Sequence, residues 1–171
     1  MSLSLAGDGT ITGIDADASD LVSALGGIGS NVVSVSKVNA FTTTSTSFVD
    51  IPDMTASITP TSNTAKVLVV CQLSVGGRND QRMFVNLLRG ETNLNQSTGG
   101  TLDATISMGM FPNEEGIIPV IISFLDSPAT TSATTYKLQI RTTASSTTVN
   151  RSRASVTAGS TSTITLIEVA A

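Results

Sequence analysis

The chain has no histidine and a single cysteine, Cys71, among its 171 residues. The absence of histidine excludes Ser-His and Cys-His nucleophile pairs and histidine-based zinc sites. One cysteine cannot form a disulfide framework, and its position inside the apolar run KVLVVCQLSV predicts a buried thiol. We therefore expect no enzyme activity and no cofactor.

Charge is also scarce, because charged residues make up 13% of the chain and the net charge is −4. Phosphate binding needs clustered Lys and Arg, and the nine basic residues are spread over the whole chain. No apolar run reaches the ~18 residues of a membrane span, and the opening MSLSLAGDG lacks the basic region of a signal peptide. We expect no nucleic-acid partner, no membrane span and synthesis in the cytoplasm.

Two acidic clusters do not fit a site for chemistry. The stretch that begins at Asp15 starts like a calcium loop, but Asp20 and Gly26 stand where that loop needs Gly and Glu. Glu114 and Glu115 are neighbours in a turn, where adjacent side chains point apart and do not form a catalytic pair. We expect neither metal binding nor glycosidic catalysis from these residues.

The residues that are abundant favour an all-β fold. Thr is β-branched and favours strands, while Ser and the 14 glycines favour turns. Short strand patterns separated by turn residues indicate a jelly-roll-like antiparallel β-sandwich. The predicted strands are residues 32–41, 47–51, 55–59, 65–75, 82–89, 103–110, 117–125, 136–141, 147–153 and 161–169.

Pairing and burial can be predicted for the central part of the chain. Residues 65–75 are apolar on both faces, which predicts a central strand, and we expect 82–89 to pair with it. Residues 117–125 and 136–141 are expected to be antiparallel partners joined by the turn at Asp126-Ser127-Pro128. Within the second of these, Tyr136, Leu138 and Ile140 alternate with polar residues and are predicted to face the core.

Residues 1–31 differ from the predicted β-sandwich domain, residues 32–171. They combine glycines and aspartates with dispersed aliphatic residues, and a short helix is predicted at 19–25. Such a segment cannot build its own core, so it is either a disordered leader or an extended N-terminal arm that orders on a partner. The aliphatic residues that would contact that partner are Leu5, Ile11, Ile14, Leu21, Leu25 and Ile28.

Two pairs of arginines are spaced to share a strand or loop face: Arg78 with Arg82, and Arg151 with Arg153. They have two possible roles, pairing with acids of a neighbouring subunit or keeping a sheet edge soluble. The sequence leaves both roles open.

Four stretches of the chain resemble a known group of proteins. They are SLSLAGDGTITGI (2–14), FTTTSTSFVDIPDMTASITPTSNTAKVLVV (41–70), LLRGETNL (87–94) and ISFLDSPATTSATTYKLQIRTTASSTTVNRS (122–152). They resemble small virion proteins of tailed bacteriophages, notably cyanophages, that occur as capsid-decorating or tail-fibre-like chains. The chain lacks the collagen-like or coiled-coil repeats of long fibre shafts, which favours a compact capsid ornament.

The resemblance implies a jelly-roll sandwich, a homotrimer and a place on the virus particle, and it brings no catalytic residues. We expect a capsid decoration (cement) protein on the capsid surface that binds the major capsid protein, with residues 1–31 lying along the shell. The alternative is a tail-fibre or receptor-binding adhesin whose loops at 93–101 or 126–135 touch a host-surface glycan.

Overall fold

The computed structural model describes residues 4–5, 11–12, 28–78, 81–109, 116–154 and 159–170. All regular secondary structure in these ranges is β-strand, in agreement with the high Thr and Val content and the period-2 patterns. In chain order the strands are β1 (Ser4–Leu5), β2 (Ile11–Thr12), β3 (Ile28–Lys37), β4 (Phe41–Thr43), β5 (Val49–Ile58), β6 (Lys66–Gly76), β7 (Arg82–Arg89), β8 (Thr92–Leu94), β9 (Ile106–Gly109), β10 (Ile117–Asp126), β11 (Thr134–Thr142), β12 (Thr147–Val149) and β13 (Ser162–Val169).

Two antiparallel sheets contain all of these strands except the separate pair β1–β2. Sheet I has the order β3-β13-β6-β10, and the short strands β4 and β12 continue the lines of β3 and β13. Sheet II has the order β5-β11-β7, and β8 and β9 lie one after the other along the free edge of β7.

The strand order is that of a jelly roll. Eight principal strands, β3, β5, β6, β7, β9, β10, β11 and β13, alternate between the sheets as the chain proceeds, except that β7 and β9 both lie in sheet II. Numbered along the chain, sheet I reads 1-8-3-6 and sheet II reads 2-7-4-5. This is the double Greek key of the eight-stranded jelly roll. The predicted fold class is confirmed.

The core lies between the two sheets and is formed by alternate residues of each strand. On β11 the predicted inward set, Tyr136, Leu138 and Ile140, is fully buried. Strand β6 is central and buries Cys71, as expected. Burial raises the pKa of the Cys71 thiol to about 12, so this cysteine packs as a small apolar side chain and carries no thiolate chemistry.

The two predicted strand pairings are wrong. Strand β10 pairs with β6 in sheet I, whereas β11 lies between β5 and β7 in sheet II. Strand β7, expected beside β6, likewise belongs to sheet II. In both cases the two strands that were predicted to pair follow each other in the chain but lie in different sheets. Hydrophobic alternation identifies the buried face of a strand but does not identify its partner.

The predicted strands at 47–51 and 55–59 are a single strand, β5. Pro52 was expected to end the first of them, but β5 is an edge strand, where the missing N–H breaks no ladder. A bulge absorbs the proline: Asp50 faces Gln139 and Thr55 faces Lys137, so four residues of β5 stand opposite one of β11. Asp53 within the bulge has φ 64°.

Strand ends differ from the prediction elsewhere by a few residues. Strand β3 already begins at Ile28, ahead of the predicted start at residue 32. Strand β12 is shorter than the predicted 147–153, because it ends at Val149 and the chain then turns at Asn150, which has φ 63°.

Candidate interaction surfaces

The predicted capsid-contact residues are only partly described. Leu5 and Ile11 are direct partners in the β1–β2 pair, and Ile28 begins β3 opposite Val169. Ile14, Leu21 and Leu25, and the predicted helix at 19–25, lie outside the described residues. The role of these six residues, and the boundary between arm and domain, stay predictions.

The outer face of sheet I carries an apolar row that crosses all four of its principal strands. Strand registers place Leu125 opposite Leu68, Leu68 opposite Ile167, and Ile167 opposite Val32. The end members Leu125 and Val32 are 46% and 51% exposed, and the middle two are half-buried. The chain itself leaves this row uncovered within the described residues.

The rest of this outer face is almost free of charge. Lys66, at the start of β6, is the only charged residue among the described outward positions of the four strands. Ile121 on β10 is 66% exposed, which makes it one of the two most exposed large apolar side chains described. The other outward positions are apolar, hydroxyl or amide: Ser34, Ser36, Val70, Gln72, Ser74, Ile117, Pro119, Ser123, Thr163, Thr165 and Val169. Covering such a face with another protein costs little electrostatic free energy, because few charges lose water.

The outer face of sheet II is different, because it carries ion pairs. The Lys137 ammonium lies 3.2 Å from the Asp50 carboxylate and 2.8 Å from that of Glu91. Gln139 Nε2 donates to Asp50 at 2.7 Å. This bond and the bond from Lys137 hold the pKa of Asp50 below its ordinary value despite partial burial. This charged face suits contact with solvent.

A cavity of about 300 Å³ opens on the same side of the molecule. Phe84, which is 4% exposed, lies at its bottom, and the loop residues 100–102 form one wall. Asp103 shapes that loop, since its carboxylate accepts hydrogen bonds from Gly100 N at 3.0 Å and from Ser97 Oγ at 3.1 Å.

Arg141 lies beside this cavity, between two aromatic rings. Its guanidinium carbon is 5.1 Å from the centre of the Phe48 ring and 4.7 Å from that of Phe84. Its Nη1 has a long hydrogen bond of 3.5 Å to Thr46 O, and its buried Nε has no partner among the described residues. The two rings therefore fix a cation whose donors are largely unused.

A buried polar cluster joins the sheets between β10 and β11. The Asp126 carboxylate receives Arg89 Nη1 at 2.8 and 3.0 Å and the Tyr136 hydroxyl at 2.7 Å. Burial, together with this acceptor, raises the pKa of Tyr136 far above its ordinary value, so the phenol stays protonated and donates to Asp126. The cluster is structural, because each of its three side chains has a hydrogen-bond partner within the cluster.

A second buried acid, Glu168, lies at the same end of sheet I, since Asp126 and Glu168 both stand opposite Val67 of β6. It accepts hydrogen bonds from Thr61 N at 2.8 Å, from Thr61 Oγ1 at 2.5 Å and from Asn31 Nδ2 at 3.0 Å. Burial raises its pKa, but the hydrogen bonds from Thr61 and Asn31 outweigh burial and hold the pKa below the usual range. Glu168 thereby fastens the turn after β5 to β3 and β13.

The predicted arginine pair at 151 and 153 bonds within the chain. Arg151 Nη2 donates to Thr42 Oγ1 at 2.9 Å, and Arg153 donates to the hydroxyls of Ser145 and Ser146. These bonds fix the loop after β12 to its neighbours. Of the other predicted pair, Arg82 lines the cavity.

Sequence reasoning located part of these surfaces. Of the two loops predicted to touch a glycan in the adhesin alternative, loop 93–101 contributes Gly100 and Thr101 to the lining of the cavity, and its contact with a glycan stays a prediction. The Phe48–Arg141–Phe84 stack was missed, because it joins residues from three distant stretches. The outward position of Arg141 in the β11 alternation was the one available signal.

Within the described residues, no group of three or more His, Cys, Asp or Glu side chains is arranged to hold a metal ion. The same part of the chain contains no helix that could cross a membrane.

No family model matches the sequence, and no curated protein matches it either. Two solved structures of infectious bursal disease virus proteins have a similar chain path. One is a mutant VP2 protein in derived T=1 particles, with 13% identity and a TM-score of 0.43 over 100% of this chain and 41% of that one. The other is from the Gt strain, with 14% identity and a TM-score of 0.43 over 99% and 47%. The chain spans less than half the length of these proteins, and similarities this low do not assign it to a family.

Proposed function

We propose that the chain is a capsid decoration (cement) protein of a bacteriophage. It binds the outer surface of the major capsid lattice as a homotrimer and stabilises the shell. The observation that carries the proposal is the outer face of sheet I, where an apolar row and exposed Ile121 occur with a single charge among the described residues. The resemblance to phage virion proteins and the jelly-roll topology, which recurs in capsid proteins, support it.

The trimer follows from the chemistry of that face. Identical faces that carry Lys66 as their one described charge can approach each other without strong repulsion, and closed cyclic symmetry is the usual way to bury such a surface. We assign the row formed by Leu125, Leu68, Ile167 and Val32 to the contact between copies. Three-fold positions on a capsid lattice would select trimers over dimers.

The mechanism is adhesive. The N-terminal segment of each copy, up to the start of β3 at Ile28, lies along the shell, and its dispersed aliphatic residues contact the major capsid protein. Three tethered arms bind together, which raises avidity by roughly 10²–10⁴-fold over one arm. Each trimer thereby bridges neighbouring capsid subunits and resists the internal pressure of packaged DNA. The protein is synthesised in the host cytoplasm and acts on the virion surface without catalysis.

A second candidate function is a receptor-binding adhesin at the tail. The cavity beside residues 100–102 favours it, because loop-lined cavities on a rigid sandwich are common ligand sites.

Copy number in purified virions separates the two functions. Gel densitometry against the major capsid protein should give on the order of hundreds of copies per particle for a protein that covers a symmetric shell. A value of a few tens or fewer would place the chain on the tail and reject shell decoration.

A further inference from the structure

The cavity on the outer side of sheet II is lined by Arg82 and lies beside Arg141, and neither arginine has an acidic partner in the described part of the chain. Three other described cations pair with carboxylates: Lys37 with Asp53, Arg89 with Asp126, and Lys137 with Asp50 and Glu91. Arg82 and Arg141 form no salt bridge with any described acid. In a chain with a net charge of −4, two neighbouring arginines of this kind on one face are candidate groups for binding an anion.

The strand registers bring these two arginines together. Arg141 is directly opposite Phe84 in the β11–β7 ladder, and Arg82 precedes Phe84 by two residues on the same face. They are therefore diagonal neighbours, with Cα atoms about 7–8 Å apart. Phe84 holds Arg141 in place by stacking, so its guanidinium loses little further freedom when an anion binds.

The other residues that line the cavity suit a ligand with one small ring. Leu102, which is 39% exposed, and Met108 supply apolar contacts, while Thr101 and Ser107 supply hydroxyl groups. A volume of about 300 Å³ is at the small end of ligand pockets, which span ~300–1,000 Å³. A hydroxylated ring with one anionic substituent satisfies the apolar, hydroxyl and cationic groups at once.

We propose that this cavity binds an anionic monosaccharide unit, with Arg82 and Arg141 holding the anionic group and the 100–102 loop enclosing the ring. This goes beyond shell decoration. Because sheets I and II face opposite directions, a trimer joined through sheet I would still present the cavity to solvent.

The test is a ¹⁵N–¹H NMR titration of the full chain with D-glucuronic acid, and with D-glucose as the matched neutral ligand. Glucuronic acid should shift the amides of Phe84, Leu102 and Gly109 saturably, and glucose should not. Glucose 6-sulfate in a third titration identifies whether carboxylate or sulfate is preferred, and binding of either anion supports the site.

Arg82→Gln should weaken the binding of the preferred anion at least about tenfold, because a charge-assisted hydrogen bond is lost. Arg151→Gln is the control and should bind like the wild type, because Arg151 does not line the cavity and is bonded to Thr42. The proposal is overturned if no anionic sugar shifts the cavity amides, if glucose binds equally well, or if Arg82→Gln binds unchanged. Arg82→Gln should still co-sediment with capsids, so this test and that of shell decoration can fail separately.

Discussion

At the residue scale, the alternation of β11 decides which side chains stabilise the fold. Leu138 is fully buried in the core, whereas its neighbour Gln139 faces outward and bonds to exposed Asp50. Leu138→Ala should lower the free energy of unfolding by about 2–5 kcal/mol, since it removes buried methyl groups and leaves a cavity. Gln139→Ala, the control, should change it by less than about 0.5 kcal/mol. Urea titrations measure both, and a larger effect at Gln139 would mean that the register of the strand is shifted by one residue.

The pKa of Glu168 makes the free energy of unfolding depend on pH. Its folded-state pKa is lowered, so its contribution is present above the unfolded pKa of about 4.3 and is lost as pH falls through the folded value. Glu168→Gln should therefore destabilise the protein at pH 7, and the difference from wild type should shrink below about pH 4.3.

Urea titrations from pH 7 to pH 3 measure this difference. Glu91→Gln is the control, because Glu91 is 86% exposed in its ion pair, and it should shift stability by less than about 1 kcal/mol at any pH. A Glu168→Gln difference that stays constant with pH would show that the charge of Glu168 contributes nothing.

At the element scale, the end of β6 depends on a glycine. A Cβ on Gly76 would lie 2.6 Å from Thr148 Oγ1 and 2.7 Å from Arg151 O, in the segment where β12 meets β6. Gly76→Ala should lower the free energy of unfolding by about 1–3 kcal/mol, because backbone atoms must move. A Cβ on Gly99 would have no atom within 4 Å, so Gly99→Ala should change the free energy of unfolding by less than about 0.5 kcal/mol. Equal thermal midpoints for the two variants would contradict this close approach.

The sequence predicts elements well and their partners poorly, and β10 shows why. Its apolar run and the turn at Asp126 identified the strand and its end almost to the residue. Its partner was wrong, because antiparallel neighbours in a jelly roll are often far apart in sequence, as β6 is from β10. The cavity was not predicted for the same reason, because its lining comes from separate stretches of the chain: β7, β9 and the loop between β8 and β9.

Local chemistry explains the other errors. Pro52 predicts a strand end, but an edge strand with a bulge accommodates it. Glu168 continues an inward alternation that the apolar residues Ile164 and Leu166 begin. Its burial depends on donors from Thr61 and Asn31, and neither is adjacent to it in sequence.

At the scale of the whole molecule, the proposed trimer predicts a specific effect of charge on sheet I. Ile121→Glu should dissociate the trimer into folded monomers, because it places three like charges in a desolvated contact. Val38→Glu is the matched control, since Val38 is also 66% exposed but lies in the link between β3 and β4. Analytical ultracentrifugation at micromolar concentration measures both. A wild-type protein that sediments as a monomer, or Ile121→Glu that stays trimeric, would reject this interface.

The central claim is that the chain attaches to a capsid through its N-terminal segment. The truncation that tests it should end at residue 27, because β3 begins at Ile28 and Asn31 bonds to Glu168. Removing residues 1–27 should leave the thermal midpoint of the sandwich unchanged, since the two sheets retain all their strands.

The direct measurement of the proposed function is co-sedimentation with phage capsids that lack this protein. The account predicts that the full chain pellets with these capsids at saturable stoichiometry, and that the chain lacking residues 1–27 stays in the supernatant. A full chain that stays in the supernatant would contradict shell decoration itself. Equal pelleting of both forms would contradict attachment through the arm and assign it to the sandwich.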